Sequence, residues 1–134
     1  MATLFIDKLA WIHIVDNKIL TTRSKGKGVY YIPGGKRDPG ENDPEALIRE
    51  IQEELSVSLH PQSIRYMGTF KAQADGHKQE VEVKMTCYLA AYRGNLTAAS
   101  EIEEMRWLSY AEKGLTSQVD HMIFDWLKDQ DLLT

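Results

Sequence analysis

A chain of 134 residues, 43% of them apolar, has the size of one domain and enough material for one buried core. Its 16 basic and 20 acidic residues give a net charge of -4 with no basic block anywhere, which excludes a polymer-binding surface built from clustered Lys and Arg. No run approaches the ~20 apolar residues of a membrane span, and residues 1–8 lack a basic start followed by a long apolar stretch. The single cysteine, Cys87, has no partner for an intramolecular disulfide, so a reducing, cytoplasmic location is expected, with Cys87 as a core residue.

Residues 4–15 include Phe5, Ile6, Leu9, Ala10, Trp11, Ile12, Ile14 and Val15, apolar on both alternating faces from Leu9 on, which predicts a strand inside a sheet. Asp16-Asn17-Lys18 predicts a turn and Ile19 to Thr22 a partner strand. Residues 24–28 predict a loop, and Val29 to Ile32 a short strand ended by Pro33-Gly34-Gly35. Asp43 as N-cap, Pro44 at the first helical position and Glu45 in the first turn predict a helix to about Leu55. Gly76 and His77 read as a loop. Val81, Val83, Met85, Cys87 and Leu89 alternate with polar residues and predict a long strand, closed by a turn signal from Tyr92 to Leu96. Met105 to Ser109 predicts another strand. Ser117 and Asp120 resemble a capping box, with Asp in place of Glu, before a final packing helix whose face carries Val119, Met122, Ile123, Trp126 and Leu127. Strands on both sides of a central helix, with a terminal helix, predict an α/β layered domain over residues 1–134, with no repeats or linker.

On the central helix, Glu50, Glu53 and Glu54 fall within an arc of about 100°, beside an apolar arc of Leu47, Ile48, Ile51 and Leu55. Like charges four residues apart, as at Glu50 and Glu54, weaken an isolated helix, so the cluster calls for a reason. Hard cations such as Mg²⁺ require oxygen-rich sites of this kind. The plain alternative is a solvated acidic face. Upstream, the glycines of residues 34–41 can bring backbone carbonyls close to a metal, and Glu41 adds a carboxylate. Arg49 lies one turn from both Glu45 and Glu53, placed to hold the acidic helix together.

Gly35, five residues, Glu41, seven residues and then Arg49-Glu50-Ile51-Gln52-Glu53-Glu54-Leu55-Ser56-Val57 resemble the Nudix box, matching at eight of nine defined positions. The resemblance implies a Nudix α/β/α sandwich with a mixed sheet between helices, and hydrolysis of a diphosphate linkage in a small nucleotide-like substrate by a monomer or homodimer. It further implies Mg²⁺, with Mn²⁺ as a substitute, held by Glu50, Glu53, Glu54 and the Gly35 carbonyl, with Arg49 orienting the carboxylates and Glu50 as the base. Beyond the box, Glu101, six residues before Trp107, is placed like the additional carboxylate of MutT-type members, with Glu104 in reserve; a solvated loop is the equal alternative. The departure is Ser56, which stands where the pattern has glycine and predicts an altered turn beyond the acidic cluster.

For the substrate, Arg23, Lys25, Lys27 and Lys36 are candidate phosphate contacts, and Tyr30, Tyr31 and Phe70 are candidate stacking surfaces for a base, each with a surface or core role as its plain alternative. The stretch Tyr31 to Lys36 resembles the entry to the box in nucleoside triphosphate hydrolases, so a triphosphate cut to monophosphate and pyrophosphate is the leading expectation. Alternatives are an ADP-ribose or nucleotide-sugar pyrophosphatase, made less favoured by the short chain, and a nucleotide sensor, disfavoured by the intact glutamate set. Isomerisation of a prenyl diphosphate is disfavoured by the single cysteine. His13 reads as core or pocket lining, and none of the histidines shows metal-ligand spacing.

Overall fold

The computed structural model describes residues 4–73 and 81–134, so the loop expected around Gly76 and His77 lies outside the described residues. Its strands are β1 (Leu4–Trp11), β2 (Ile14–Val15), β3 (Lys18–Ser24), β4 (Gly34–Gly35), β5 (Ser58–Leu59), β6 (Arg65–Gln73), β7 (Val81–Leu89), β8 (Tyr92–Arg93) and β9 (Ile102–Leu108). The helices are α1 (Asp43–Leu55) and α2 (Gln118–Asp129), with short 3₁₀ turns at Pro61–Ser63 and Tyr110–Leu115.

Strands β4-β1-β7-β6 form a mixed sheet in which β1 and β7 run parallel; β2-β3-β9 and the pair β5-β8 form two smaller antiparallel units. The two-faced apolar pattern of β1 is explained by what covers each face. Leu9 and Trp11 join Ala46, Leu47, Ile51 and Leu55 in a core under α1, whereas Ala10 and Ile12 join Met85, Cys87, Ile123, Phe124 and Leu127 in a core under α2. The result is the expected α/β/α sandwich. Each fully buried Leu, Ile or Phe in these cores contributes about 1.5–3 kcal/mol of burial free energy.

Several boundaries differ from expectation for local reasons. The strand expected over residues 4–15 breaks after Trp11: Ile12 still donates to the Tyr88 carbonyl, but the His13 carbonyl accepts from Leu20 N, which carries the chain onto the second sheet. The strand expected at Val29 to Ile32 is reduced to single bridges, Tyr31 to Thr22 and Tyr30 to Thr116. Ile32 N donates to Asp120 Oδ2 at 3.3 Å rather than to a strand partner, and the pairing moves on to Gly34–Gly35. The N-cap of α1 is Asn42, not Asp43; Asn42 and Glu45 form a full capping box, which leaves the Asp43 carboxylate to pair with Arg37 and accept from Tyr88 Oη. At α2 the Ser117 side chain makes no cap bond, and the Asp120 carboxylate, turned inward to accept from Ile32 N, is drawn away from the reciprocal bond. The buried face of α2 is Val119, Asp120, Ile123, Phe124 and Leu127, and Met122 is exposed. A capping box does form eight residues earlier, between Ser109 and Glu112 at the start of the 3₁₀ segment.

Ser56 takes the left-handed conformation itself, at φ 63°, and donates its backbone N–H to the Gln52 carbonyl. The turn expected to change is therefore kept with the positive φ that glycine would supply, and Ser56 Oγ donates to the Thr97 carbonyl at 3.2 Å.

Candidate active site

The central feature is a cavity of about 320 Å³ at the seam between the sheets and α1. One wall comes from the chain around β4. Gly34 adopts φ 149°, and a Cβ there would lie 1.9 Å from the Leu9 carbonyl oxygen, so only glycine lets β4 pair with β1 at this point. A Cβ on Gly35 would lie 2.3 Å from Glu50 Oε2; the missing side chain is what lets the Glu50 carboxylate rest against the β4 backbone.

α1 supplies the second wall. Its i, i+4 spacing aims Glu50 and Glu54 into the cavity while Leu47, Ile51 and Leu55, on the adjacent arc, anchor the helix in the core. Glu54 is 8% exposed, accepts one bond from Gly34 N at 3.3 Å, and has its carboxyl pushed up to about 8, chiefly by burial and then by the neighbouring Glu50 and Glu101 charges. Burial likewise raises Glu50, with Arg49 opposing the shift.

Glu101 closes the third side just before β9. The segment leading to it is clamped to the end of α1, where Thr97 N and Ala99 N donate to the otherwise unpaired carbonyls of Leu55 and Glu54. From the other side, Lys25 N donates to the Glu101 carbonyl at 2.8 Å. Glu50, Glu54 and Glu101 thus line one cavity with Gly35.

Arg49 binds the loop to the helix. It holds Glu41 through two bonds of 2.8 and 2.9 Å, Glu50 at 2.9 Å, the Lys36 carbonyl at 3.0 Å and Glu53 at 3.4 Å. The paired guanidinium draws the Glu41 carboxyl down to about 2. Glu53 is more exposed than Glu50 and stands at the Arg49 side, outside the cavity lining.

Tyr31 and Lys36 also line the cavity, but Arg23 and Phe70 do not. Arg23 donates to Glu104 at 2.9 Å, to Glu103 at 2.7 Å and to the Lys27 carbonyl at 3.0 Å, and Glu104 also accepts from Tyr30 Oη, so this group fastens the turn after β3 to β9. Phe70 packs edge-on against Trp126 beneath α2. His13 stacks on Trp11 with ring centroids 4.7 Å apart, and burial lowers its pKa. Cys87 is buried in the α2-side core, where burial raises its thiol pKa well above the usual range. Sequence reading missed Lys8, Thr22, Ser24, Met85 and Ile102 among the lining residues. Lys8 carried a signal that could have been used, a lone cation just ahead of the apolar run of β1.

The donor set suits a hard divalent cation: acidic oxygens, one of them on a nearly buried carboxyl held among like charges, with a backbone segment close by. Among the described residues, no three His, Cys, Asp or Glu side chains are already drawn together at ligand distance. No described helix is long and apolar enough to cross a membrane.

The NUDIX domain profile matches residues 9–127. A curated relative, the uncharacterised Nudix hydrolase YvcI of Bacillus subtilis (strain 168), is 26% identical over 92 residues, which are 69% of this chain; the chain spans 58% of that relative's length. Among solved structures, the MutT Nudix hydrolase from Burkholderia pseudomallei is 25% identical with a TM-score of 0.67, covering 80% of this chain and 84% of that one. The MutT protein from Methanosarcina mazei Go1 is 17% identical with a TM-score of 0.74, covering 98% of both chains. With its box on β4 and α1, its sandwich fold and a profile match along most of its length, the chain belongs to the Nudix family.

Proposed function

We propose that this protein is a Mg²⁺-dependent pyrophosphohydrolase that cuts a diphosphate linkage in a nucleotide, preferring a nucleoside triphosphate and releasing monophosphate and pyrophosphate. The observation that carries the reading is the convergence of Glu50, Glu54 and Glu101 with Gly35 in a cavity that also holds Tyr31 and Lys36. Glu50, Glu53, Glu54 and the Gly35 carbonyl are the groups that would hold the ion, with Glu101 as a further carboxylate. A divalent cation held there would supply charge neutralisation for the phosphoryl oxygens and a more nucleophilic water.

The chain's own residues do the rest. Glu50 accepts the proton of the attacking water at a carboxylate oxygen; burial makes it a stronger base than a free glutamate, and Arg49 opposes its protonation. Arg49 also keeps the loop carrying Lys36 at a fixed distance from α1. Tyr31 offers a ring face for the base, and Lys36 meets the phosphate chain. The preference for a triphosphate is supported by the Ile32 to Lys36 entry and by Glu101 lying on the cavity six residues before Trp107.

The test is hydrolysis of a panel of nucleoside triphosphates, including oxidised guanine nucleotides, beside ADP-ribose and nucleotide sugars, with phosphate and pyrophosphate assayed separately. Monophosphate plus pyrophosphate from a triphosphate is the expected result. A far higher kcat/KM on ADP-ribose or a nucleotide sugar would overturn the substrate choice.

A further inference from the structure

We propose that Lys8 is a substrate-binding residue that takes a phosphoryl oxygen of the nucleotide, and so sets the requirement for a charged phosphate chain. The proposal rests on the hydrolase reading for the identity of the ligand, but on separate observations for the residue.

Lys8 sits on β1 opposite Met85 of β7, in the middle of the parallel pair, and both line the cavity. Among the described residues three lysines line it, and of these Lys27 and Lys36 are exposed while Lys8 is half-buried. An ammonium group drawn partly out of water needs a compensating acceptor. Lys8 forms no ion pair among the described residues; its Nζ lies 5.4 Å from the Tyr31 ring centroid, a cation–π contact. That contact compensates for less than a direct anion would. Meanwhile its positive charge is felt at Glu54, on the wall where the metal and phosphates are expected. Lys8 is held in the β1–β7 ladder beside Met85, one residue before the β1–β4 pairing begins at Leu9, so the charge is presented in advance rather than recruited from a loop.

Phosphate is favoured over a base carbonyl on two grounds. An ammonium is a compact point charge best matched by an anionic oxygen. Lys8 also lies beside Tyr31 in the cavity that Glu54 lines, within reach of a phosphate chain leaving a base stacked on Tyr31.

The experiment is calorimetric binding, in Mg²⁺, of inorganic tripolyphosphate and of an α,β-methylene nucleoside triphosphate to the wild type, Lys8→Met and Lys8→Arg. A phosphate contact weakens both probes by about 10-fold or more in Lys8→Met and by less in Lys8→Arg. An unchanged tripolyphosphate affinity in Lys8→Met, with or without a loss for the nucleotide, overturns the proposal, as does a wild type that binds no tripolyphosphate. Should Lys8→Met lose its fold, the Lys8 side-chain NMR resonance of the wild type decides: it shifts on adding tripolyphosphate, or the proposal fails. Because binding is read without turnover, Lys8-dependent tripolyphosphate binding in a protein that hydrolyses no member of the panel would sink the hydrolase reading alone.

Discussion

Glu50 and Glu54 are one helical turn apart on α1, yet their surroundings give them different work. Glu50 touches Arg49 and the Gly35 backbone, a setting in which burial raises its proton affinity and Arg49 opposes the shift. Replacing it by glutamine keeps the shape and removes the proposed base, so Glu50→Gln should lower kcat by roughly 10²-fold or more while the thermal midpoint stays near the wild type; an unchanged kcat would pass the role to Glu101. Glu54 is the buried member. Its carboxyl, raised to about 8 from an ordinary 4.5, binds its proton more tightly folded than unfolded, so it supports the metal-free fold fully below about pH 4.5 and this support is lost as pH rises to about 8. The metal-free protein should therefore lose thermal stability across that window, and Glu54→Gln should flatten the decline; a wild-type curve that rises over the same range would contradict the account. Ser56 holds a left-handed turn at φ 63° that costs a non-glycine residue about 1–2 kcal/mol, partly offset by the extra chain entropy glycine would lose and by the Oγ bond to Thr97. Ser56→Gly should thus raise the thermal midpoint by a few degrees with kcat unchanged, and a fall in the midpoint would show that the Thr97 bond dominates.

α1 works as a hinge-free bracket because its two ends are tied to different loops. At its start, Asn42 and Glu45 satisfy the first backbone donors; at its end, Thr97 and Ala99 satisfy the last acceptors; and midway Arg49 ties the helix to Glu41 and Lys36. Arg49→Met should lower kcat about 10-fold or more by letting Glu50 and the loop drift. Arg49→Lys should recover little, because one ammonium cannot reproduce a planar fork that engages Glu41, Glu50, Glu53, Asp38 and the Lys36 carbonyl. Wild-type kcat in Arg49→Lys would mean that charge alone suffices. Much of this bracket was legible in the sequence: the periodicity of residues 47–55 separates the packing stripe from the carboxylates, and Pro44 marks the helix start. The N-cap was misplaced by one residue because Asn42 and Asp43 are both good caps, and only the three-dimensional pull of Arg37 and Tyr88 decides between them. The same kind of tertiary pull hid the true face of α2, where Asp120 turns inward to Ile32 N.

Taken over the molecule, the sandwich brings together pieces far apart in the chain: β4, α1 and the segment before β9 meet at one cavity only because β1 sits at the centre of one sheet and α1 covers it. The box residues announce themselves by spacing, so Glu50, Glu54, Gly35 and Arg49 could be read from the sequence. Met85 could not, since it joins Lys8 at the cavity only through the β1–β7 pairing, across 77 positions of chain. Nor could the employment of Arg23 by Glu103 and Glu104, which depends on the antiparallel register of β3 and β9. The whole arrangement has chemical meaning only if the carboxylates serve a cation. The most direct test is the rate of nucleoside triphosphate hydrolysis measured against free Mg²⁺. The account predicts no turnover in excess chelator, a saturable rise as Mg²⁺ is added, and a shift of that rise to higher Mg²⁺ in Glu53→Gln; full activity in excess chelator would contradict it.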